Sequence, residues 1–296
     1  MATTQINAIH VNESLSSVFR DILYHENHWL PEQTFTEKFQ NTPGAIGGVL
    51  YVNKLEKNAI SAELPGGDFT DTDGSTDQVA VHLNNAYLRS EKVRNITMKQ
   101  LSDDTKLQEE TFEKVMLEAQ EAWTTGFTAK VVSEGTDIAD YTAIDADNVK
   151  EKFLDMRKSL RDKKIRPAYA IVNTTVYTAM LNYAGKEFIP NPNEETFRTG
   201  LVGRFFGMDI YESTALAESA AKYRDESGTE QTVDLTQVEM VMARPQDIVN
   251  VVSLNMARIK ESEQFNGSKC QIEMVAGFKV LDSERVAIKY NTDPTV

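Results

Sequence analysis

The sequence predicts an α+β fold in which strands outnumber helices. Three β-rich runs occupy the last quarter of the 296-residue chain, at 238–252, 271–280 and 286–290, and turn-forming residues separate them. One long amphipathic pattern precedes them at 105–132 and indicates a helix. No set of residues in or near these runs is suited to bond-making chemistry. The pattern therefore favours a protein that acts by assembling.

Composition places the chain among ordinary globular proteins. Hydrophobic residues make up 41% of it and charged residues 26%, and its length permits a sizeable core. There is no run of 18 apolar residues, and residues 1–7 lack the pattern of a signal peptide. The single cysteine, Cys270, excludes an internal disulfide framework and fits a reducing compartment. We therefore expect synthesis in the cytoplasm and no membrane partner.

The charge is strongly acidic overall and uneven along the chain. The 45 acidic and 31 basic residues leave a formal net charge of −14, which opposes binding to nucleic acid by phosphate neutralisation. Such a charge favours solubility, and it also suits a wall that must not adhere to nucleic acid beside it. Residues 147–166 reverse the balance, with eight Lys/Arg against four Asp/Glu. This patch is expected either to meet an acidic neighbour or to form a solvated helix face.

The first 100 residues predict two pieces that need a partner surface. Residues 1–43 form an arm with a short amphipathic helix, too small to have its own core. Residues 44–100 hold two strand-like runs, 49–55 and 79–83, around the turn-rich acidic segment 65–75. They predict an extended hairpin loop with a polar tip. A two-stranded hairpin is marginal in water, so we expect another copy of the chain to cover it.

The rest of the chain predicts a helix followed by an α/β region. Residues 101–140 contain the long helix, with apolar side chains on one side and Gly135 as its stop. Residues 141–240 suggest a helix capped by Asp145 or Asp147, a buried strand at 168–172, and a second helix capped by Asn173 or Thr174. Next come a glycine-punctuated turn feeding a strand at 199–213 and an exposed loop at 220–232. Residues 241–296 supply the closing strands.

Each motif suggestive of chemistry has a structural alternative. The acidic run at 68–77 lacks two ligands of a calcium loop, and the 200–207 glycines lack the ending of a phosphate loop. His25-Glu26-Asn27-His28 lacks the metalloprotease spacing, which leaves only a weak metal pair. Cys270 alternates with apolar residues, as a buried thiol does. We therefore predict no cofactor, no metal and no enzymatic activity.

The order of these elements resembles the major capsid protein of tailed bacteriophages, the Hong Kong phage-type coat fold that encapsulins share. Residues 1–43 resemble its N-terminal arm, 44–100 its extended loop, 101–140 its peripheral domain with the spine helix, and 141–240 its axial domain. The segments 168–173, 203–213 and 265–288 are similar to segments common in these coats, the last of them closing both domains.

This resemblance implies a coat protein that forms the hexamers and pentamers of an icosahedral phage head around double-stranded DNA. The implied partners are other copies of the chain, a separate scaffolding protein and a portal protein, without recognition of a specific nucleic-acid sequence. The implied location is the virion, after assembly in the host cytoplasm. Two alternatives remain open: an encapsulin-like compartment shell, and an α/β hydrolase with carboxylates scattered through the sequence.

Charged and amide side chains of the loop and of the closing strands are the candidate contacts between subunits. They are Lys54, Lys57, Asp68, Asp71, Asp73, Arg89, Arg94, Arg198 and Asn266. Charges on the edges of strands commonly prevent aggregation, and they equally suit pairing with a neighbouring subunit. A lysine–asparagine crosslink, known in some members of the family, is matched here only in residue type.

Overall fold

The structure is a computed structural model, which describes residues 48–55, 76–94, 104–183, 188–190, 201–261 and 264–294. The predicted arm at 1–43 and the acidic loop tip at 65–75 lie outside the described residues. Among the helices of the described part, none is both long and apolar enough to cross a bilayer.

A seven-stranded mixed sheet forms the centre of the predicted axial region. Its strands are β4 (Thr136–Asp137), β5 (Tyr169–Val172), β6 (Phe188–Pro190), β7 (Leu201–Phe205), β8 (Met208–Glu212), β11 (Val238–Ala243) and β14 (Ala287–Tyr290). Their spatial order in this sheet, which we name the axial sheet, is β4, β14, β11, β5, β8, β7, β6. Strands β5, β11 and β14 are buried at every residue, as expected for strands covered on both faces.

Two helices cover one face of this sheet. They are α2 (Val149–Asp162) and α3 (Thr174–Asn182), and both were predicted. In α2 the buried residues follow helical spacing, and Phe153 contacts the Phe205 ring edge-on at 4.8 Å. The Asn173 side chain accepts a hydrogen bond from the Val176 amide and caps α3, which confirms one of its two predicted caps.

The long helix α1 (Asp104–Glu134) covers the other face, and it also packs on a second sheet. That sheet, which we name the peripheral sheet, is antiparallel, in the order β12 (Ile248–Glu261), β13 (Gly267–Val280), β3 (Asn85–Arg94). Phe127 of α1 meets Phe278 of β13 edge-on at 5.6 Å. The predicted helix at 105–132 is confirmed to within two residues, and it ends one residue before Gly135 as expected.

Two segments differ from their predictions. Residues 199–213 were expected to be a turn that feeds one strand, whereas the described part, 201–212, is the hairpin β7–β8. Phe206 and Gly207 form its two-residue turn with φ of 48° and 75°, as a type I′ turn requires. Residues 220–232 were predicted to be an exposed loop. They instead contain β9 (Ala221–Arg224) and part of β10 (Glu230–Val233), an antiparallel pair whose Ala221 is buried in the core beside α1.

Candidate assembly surfaces

The base of the extended loop is the antiparallel hairpin of β1 (Val49–Leu55) and β2 (Thr76–His82). One of its faces packs on the peripheral sheet of the same chain. Val52 and Val81 from the hairpin are buried with Val249, Val251 and Val275 in a separate small core. The hairpin base therefore has a cover within its own subunit, contrary to our expectation that only neighbours would cover it.

Gly277 of β13 allows this close approach. A β-carbon placed there would lie 2.9 Å from the carbonyl oxygen of His82 and 3.2 Å from a methyl group of Val81. Strand β13 alternates between half-buried and buried residues from Gly267 to Glu273, and then becomes buried on both faces up to Phe278. The second face of β13 is thus covered where the hairpin lies on it.

The opposite face of the hairpin is open. Val49 and Tyr51 point away from the small core, because alternate residues of a strand face opposite sides. Their exposed fractions are 41% and 63%. Ala80 lies directly opposite Tyr51 in the strand register and is half-buried. The hairpin therefore presents a narrow apolar strip, which we name the Tyr51 strip after its largest residue.

Strand β3 follows β2 after only two residues, but it joins a different sheet. It pairs with β13 from Asn85 to Arg94, opposite residues 276 to 267. The predicted contact residue Arg89 forms an ion pair with Glu118 of α1, with 2.8 Å between Nε and Oε2. Arg89 therefore serves the fold of its own subunit in this structure, although half of its side chain is still exposed.

The structure does not bring the other predicted contact residues together. Asn266 is exposed in the turn between β12 and β13, and Lys54 and Arg94 lie on separate sheets. The remaining five lie outside the described residues, and their assignment stays a prediction: Lys57, Asp68, Asp71, Asp73 and Arg198.

A buried lysine, which sequence reasoning missed, ties the chain that leads into α2 to the axial sheet. The Lys289 ammonium is 1% exposed and donates hydrogen bonds to the carbonyl oxygens of Asp140, Thr142 and Tyr290 at 2.6, 2.7 and 3.0 Å. The carboxylate of Glu239 lies 3.6 Å from its Nζ. Burial lowers the pKa of Lys289 and raises that of Glu239, while their mutual attraction opposes both shifts.

A second buried charge joins the axial sheet to the peripheral sheet. Asp247 lies between β11 and β12, is 2% exposed, and accepts two hydrogen bonds from Arg244 at 2.7 and 2.8 Å. Arg285, just before β14, adds a third at 3.2 Å. The Asp247 carbonyl also accepts from the Leu281 amide after β13. The Asp247 carboxylate thus links two segments that connect the sheets, the one after β11 and the one before β14. The bidentate pairing with Arg244 fixes the geometry of this link.

The basic patch predicted at 147–166 is concentrated at the carboxyl end of α2. Helix α2 ends in a Schellman motif, because the Ile165 amide bonds to the Leu160 carbonyl and the Lys164 amide to the Arg161 carbonyl. Lys164 occupies its left-handed position with φ of 62°, where glycine is usual. A side chain in that conformation costs about 1 kcal/mol.

The described residues hold no arrangement suited to catalysis by a metal or a thiolate. None of their His, Cys, Asp and Glu side chains form a group of three or more that could hold a metal ion. Cys270 is fully buried, as predicted, and burial raises the pKa of its thiol to about 11. A thiol with that pKa is almost entirely protonated at neutral pH and is a poor nucleophile.

Comparisons by sequence identify no relative. No protein-family model matches the chain, and no curated protein matches it.

Comparisons by structure find similar folds. A chain of Mycobacterium phage Che8 matches with a TM-score of 0.59 at 16% identity, over 82% of this chain and 84% of that one. A chain from the capsid of cyanophage P-SCSP1u matches with a TM-score of 0.61 at 10% identity, over 90% and 89%. A chain of the virus-like particle from Pyrococcus furiosus matches with a TM-score of 0.52 at 11% identity, over 94% and 98%. These matches confirm the predicted fold, that of phage capsid proteins.

Proposed function

We propose that this chain is a major capsid protein, which self-assembles into the hexamers and pentamers of an icosahedral shell. The observation that carries the proposal is the fold itself. It agrees with chains of a mycobacterium phage, of a cyanophage capsid and of a virus-like particle over four fifths or more of both partners, rather than over one shared domain. The proposed role is structural and non-enzymatic.

The physical basis of assembly is apolar surface that one subunit leaves uncovered. The Tyr51 strip lies on a hairpin whose other face is already anchored to the peripheral sheet. A neighbouring copy that covers the strip gains about 25 cal/mol for each Å² of apolar surface removed from water. Because identical subunits repeat the same contact around symmetry axes, a modest gain per contact suffices to close a shell.

The proposed contents are double-stranded DNA, held without recognition of its sequence. The net charge of −14 supports this, since an acidic wall repels phosphate and leaves the duplex free to move. A scaffolding protein and a portal protein are the further partners that we propose. The proposed location is the virion, after assembly in the host cytoplasm.

Electron microscopy of the purified chain, alone and with candidate scaffolding proteins, tests this proposal. We expect closed shells or sheets of hexamers with wild-type protein. Tyr51→Ser should reduce them strongly, and Tyr51→Phe, which keeps the apolar ring, is the matched control. A wild-type protein that stays monomeric at all concentrations, with and without scaffolding protein, would contradict the proposal.

An encapsulin-like compartment is the second candidate, and the match to the virus-like particle from Pyrococcus furiosus favours it. The shell would have the same fold and would enclose protein cargo instead of DNA. The contents of particles purified from the native source separate the two functions. Nuclease-protected DNA supports the phage capsid, whereas one abundant co-purified protein without DNA supports the compartment.

A further inference from the structure

We propose that the basic side chains at the carboxyl end of α2 bind a carboxylate-bearing surface on a second copy of the chain. This inference rests on the proposed shell function, because it names one contact between shell subunits. We call these side chains the α2 cationic cluster; they are Arg157, Lys158, Arg161, Lys163, Lys164 and Arg166.

Within the part of the chain that the structure describes, no residue neutralises the cluster. Five of its members are exposed, Arg157 being half-buried, and none of the six forms an ion pair with another residue that the structure describes. Asp162 is the one acidic residue between 157 and 166, so this stretch carries a net charge of +5. The helix dipole favours one or two cations at a carboxyl terminus, and the excess calls for another source of negative charge.

Arg157 shows that the positive charges converge. Its Nη1 donates to the Phe206 carbonyl at 3.0 Å, while its buried Nε has no hydrogen-bond partner among the described residues. Desolvation lowers the pKa of Arg157, and repulsion from Arg161 and Arg166 lowers it further. Arg161 and Arg166, which both repel Arg157, are themselves exposed, and neighbouring exposed guanidinium groups are suited to pairing with a carboxylate.

Lys164 adds an independent observation. It occupies the left-handed position of the Schellman motif, where glycine would adopt the same backbone conformation without strain. A lysine in this place adds positive charge to the cluster at the expense of local stability. Its side chain makes no ion pair with another described residue, so no pairing within that part of the chain explains it.

The charge distribution favours another subunit over DNA as the partner. Outside residues 147–166 the chain carries 41 acidic and 23 basic residues, a balance of −18. A long duplex would extend beyond the cluster and would meet the net negative charge of the rest of the subunit. A local group of carboxylates on a neighbouring copy avoids that repulsion, and the same acidic balance supplies such groups.

Zero-length crosslinking with a carbodiimide tests the contact directly. Unlabelled and ¹⁵N-labelled chains are mixed before assembly, and mass spectrometry then separates crosslinks between chains from those within one chain. We expect mixed-isotope peptides that join Lys158, Lys163 or Lys164 to an Asp or Glu. Particles that form without such crosslinks would overturn this inference and leave the proposed function standing. Failure of the wild-type chain to form particles would contradict both this inference and the proposed function.

Two variants measure the energetic weight of the cluster. Lys164→Gly removes one charge and relieves backbone strain, so the subunit should unfold at the same or a higher denaturant concentration. We expect it to raise the protein concentration needed for assembly several-fold at low salt, and less at high salt. Lys163→Gln should also raise the protein concentration needed for assembly, whereas Lys163→Arg, which keeps the charge, should leave it unchanged. Unchanged assembly of both charge-removing variants would refute the proposal.

A nucleic-acid arm completes the test. Unassembled wild-type chain and Lys164→Gly are titrated with a short DNA duplex at the same salt concentration and followed by mobility shift. We expect no binding by either. Binding by the wild type that Lys164→Gly weakens would overturn the proposal and assign the cluster to DNA.

Discussion

The axial sheet and the extended hairpin differ in how much of their apolar surface the subunit itself buries. In the axial sheet, β5, β11 and β14 are covered on both faces by elements of the same chain. In the hairpin, one face packs on β12 and β13 and the other leaves Tyr51 63% exposed. These three strands are thus fully covered within the monomer, whereas the hairpin is covered only on one side. Substitutions in the first should change the stability of the subunit, and substitutions in the second should change association.

Phe153→Ala is expected to have the largest effect, because it empties the core between α2 and the axial sheet. Phe153 is fully buried and contacts both Phe205 and Phe206. Truncation of such a ring costs about 3–5 kcal/mol of unfolding free energy. Urea denaturation of the unassembled subunit measures it. A loss below about 1 kcal/mol would show that the axial core is not close-packed there.

Lys289→Met should have the next largest effect, a loss of about 2–4 kcal/mol of unfolding free energy. The substitution leaves three carbonyl groups and the Glu239 carboxylate without their cation. Adding Glu239→Gln should recover part of the loss, which a double-mutant cycle measures.

The stability that Lys289→Met loses relative to wild type should decrease as the pH falls. Burial raises the pKa of Glu239 above its ordinary 4.5, so the buried charge destabilises the single variant most at pH values above the raised pKa. Protonation removes that penalty, and the deficit relative to wild type should shrink as the pH falls toward 4.5. A deficit that stays constant over this interval would show that Glu239 is not the destabilising charge.

Tyr51→Ser sharpens the comparison from the hairpin side. We expect the unfolding free energy of the lone subunit to change by no more than about 0.5 kcal/mol, as for an exposed side chain. The concentration needed for assembly should rise about tenfold, which corresponds to about 1.4 kcal/mol per contact. Light scattering and urea denaturation of the same preparation measure the two quantities. Equal losses in both would mean that the hairpin stabilises its own subunit through this face as well.

The smallest effect is expected at Asp225, in the turn between β9 and β10. Hydrogen bonds from the Ser227 hydroxyl and the Gln231 amide lower its pKa to about 2. Its contribution to stability is present above the ordinary pKa of 3.8 and is lost as the pH falls toward 2. Asp225→Asn should therefore lower the melting temperature slightly at pH 6 and by less at pH 2, where the native carboxylate is about half protonated. The same difference at both values would contradict this assignment.

Patterns that are local in the sequence predicted the corresponding elements well. Helix α1, the capped helix α3 and the buried strand β5 follow from periodicity and capping residues within about 30 positions. The β9–β10 pair was missed because its strands are four residues long and mostly polar. Such strands are specified by pairing with each other and by packing against α1, which a polar composition does not reveal.

Contacts between distant residues explain the remaining differences. Residues 85–94 fall within the predicted extended loop, whereas in the structure they form β3, whose partner β13 lies about 180 residues later. The hydrogen-bond networks of Asp247 and Lys289 join residues that are far apart in the sequence, so no local motif predicts them. The basic excess of residues 147–166 was visible in the sequence, but the left-handed conformation of Lys164 near its end was not.

The two-residue link between β2 and β3 has a mechanical consequence. Ten residues of β3 lie alongside β13, and the hairpin continues directly from its end. A pull on the hairpin along the strand direction would load this ladder lengthwise, so that its hydrogen bonds share the force instead of opening one after another. In the proposed shell, strain from internal pressure would then pass through the hairpin into β13 and the helix beneath it.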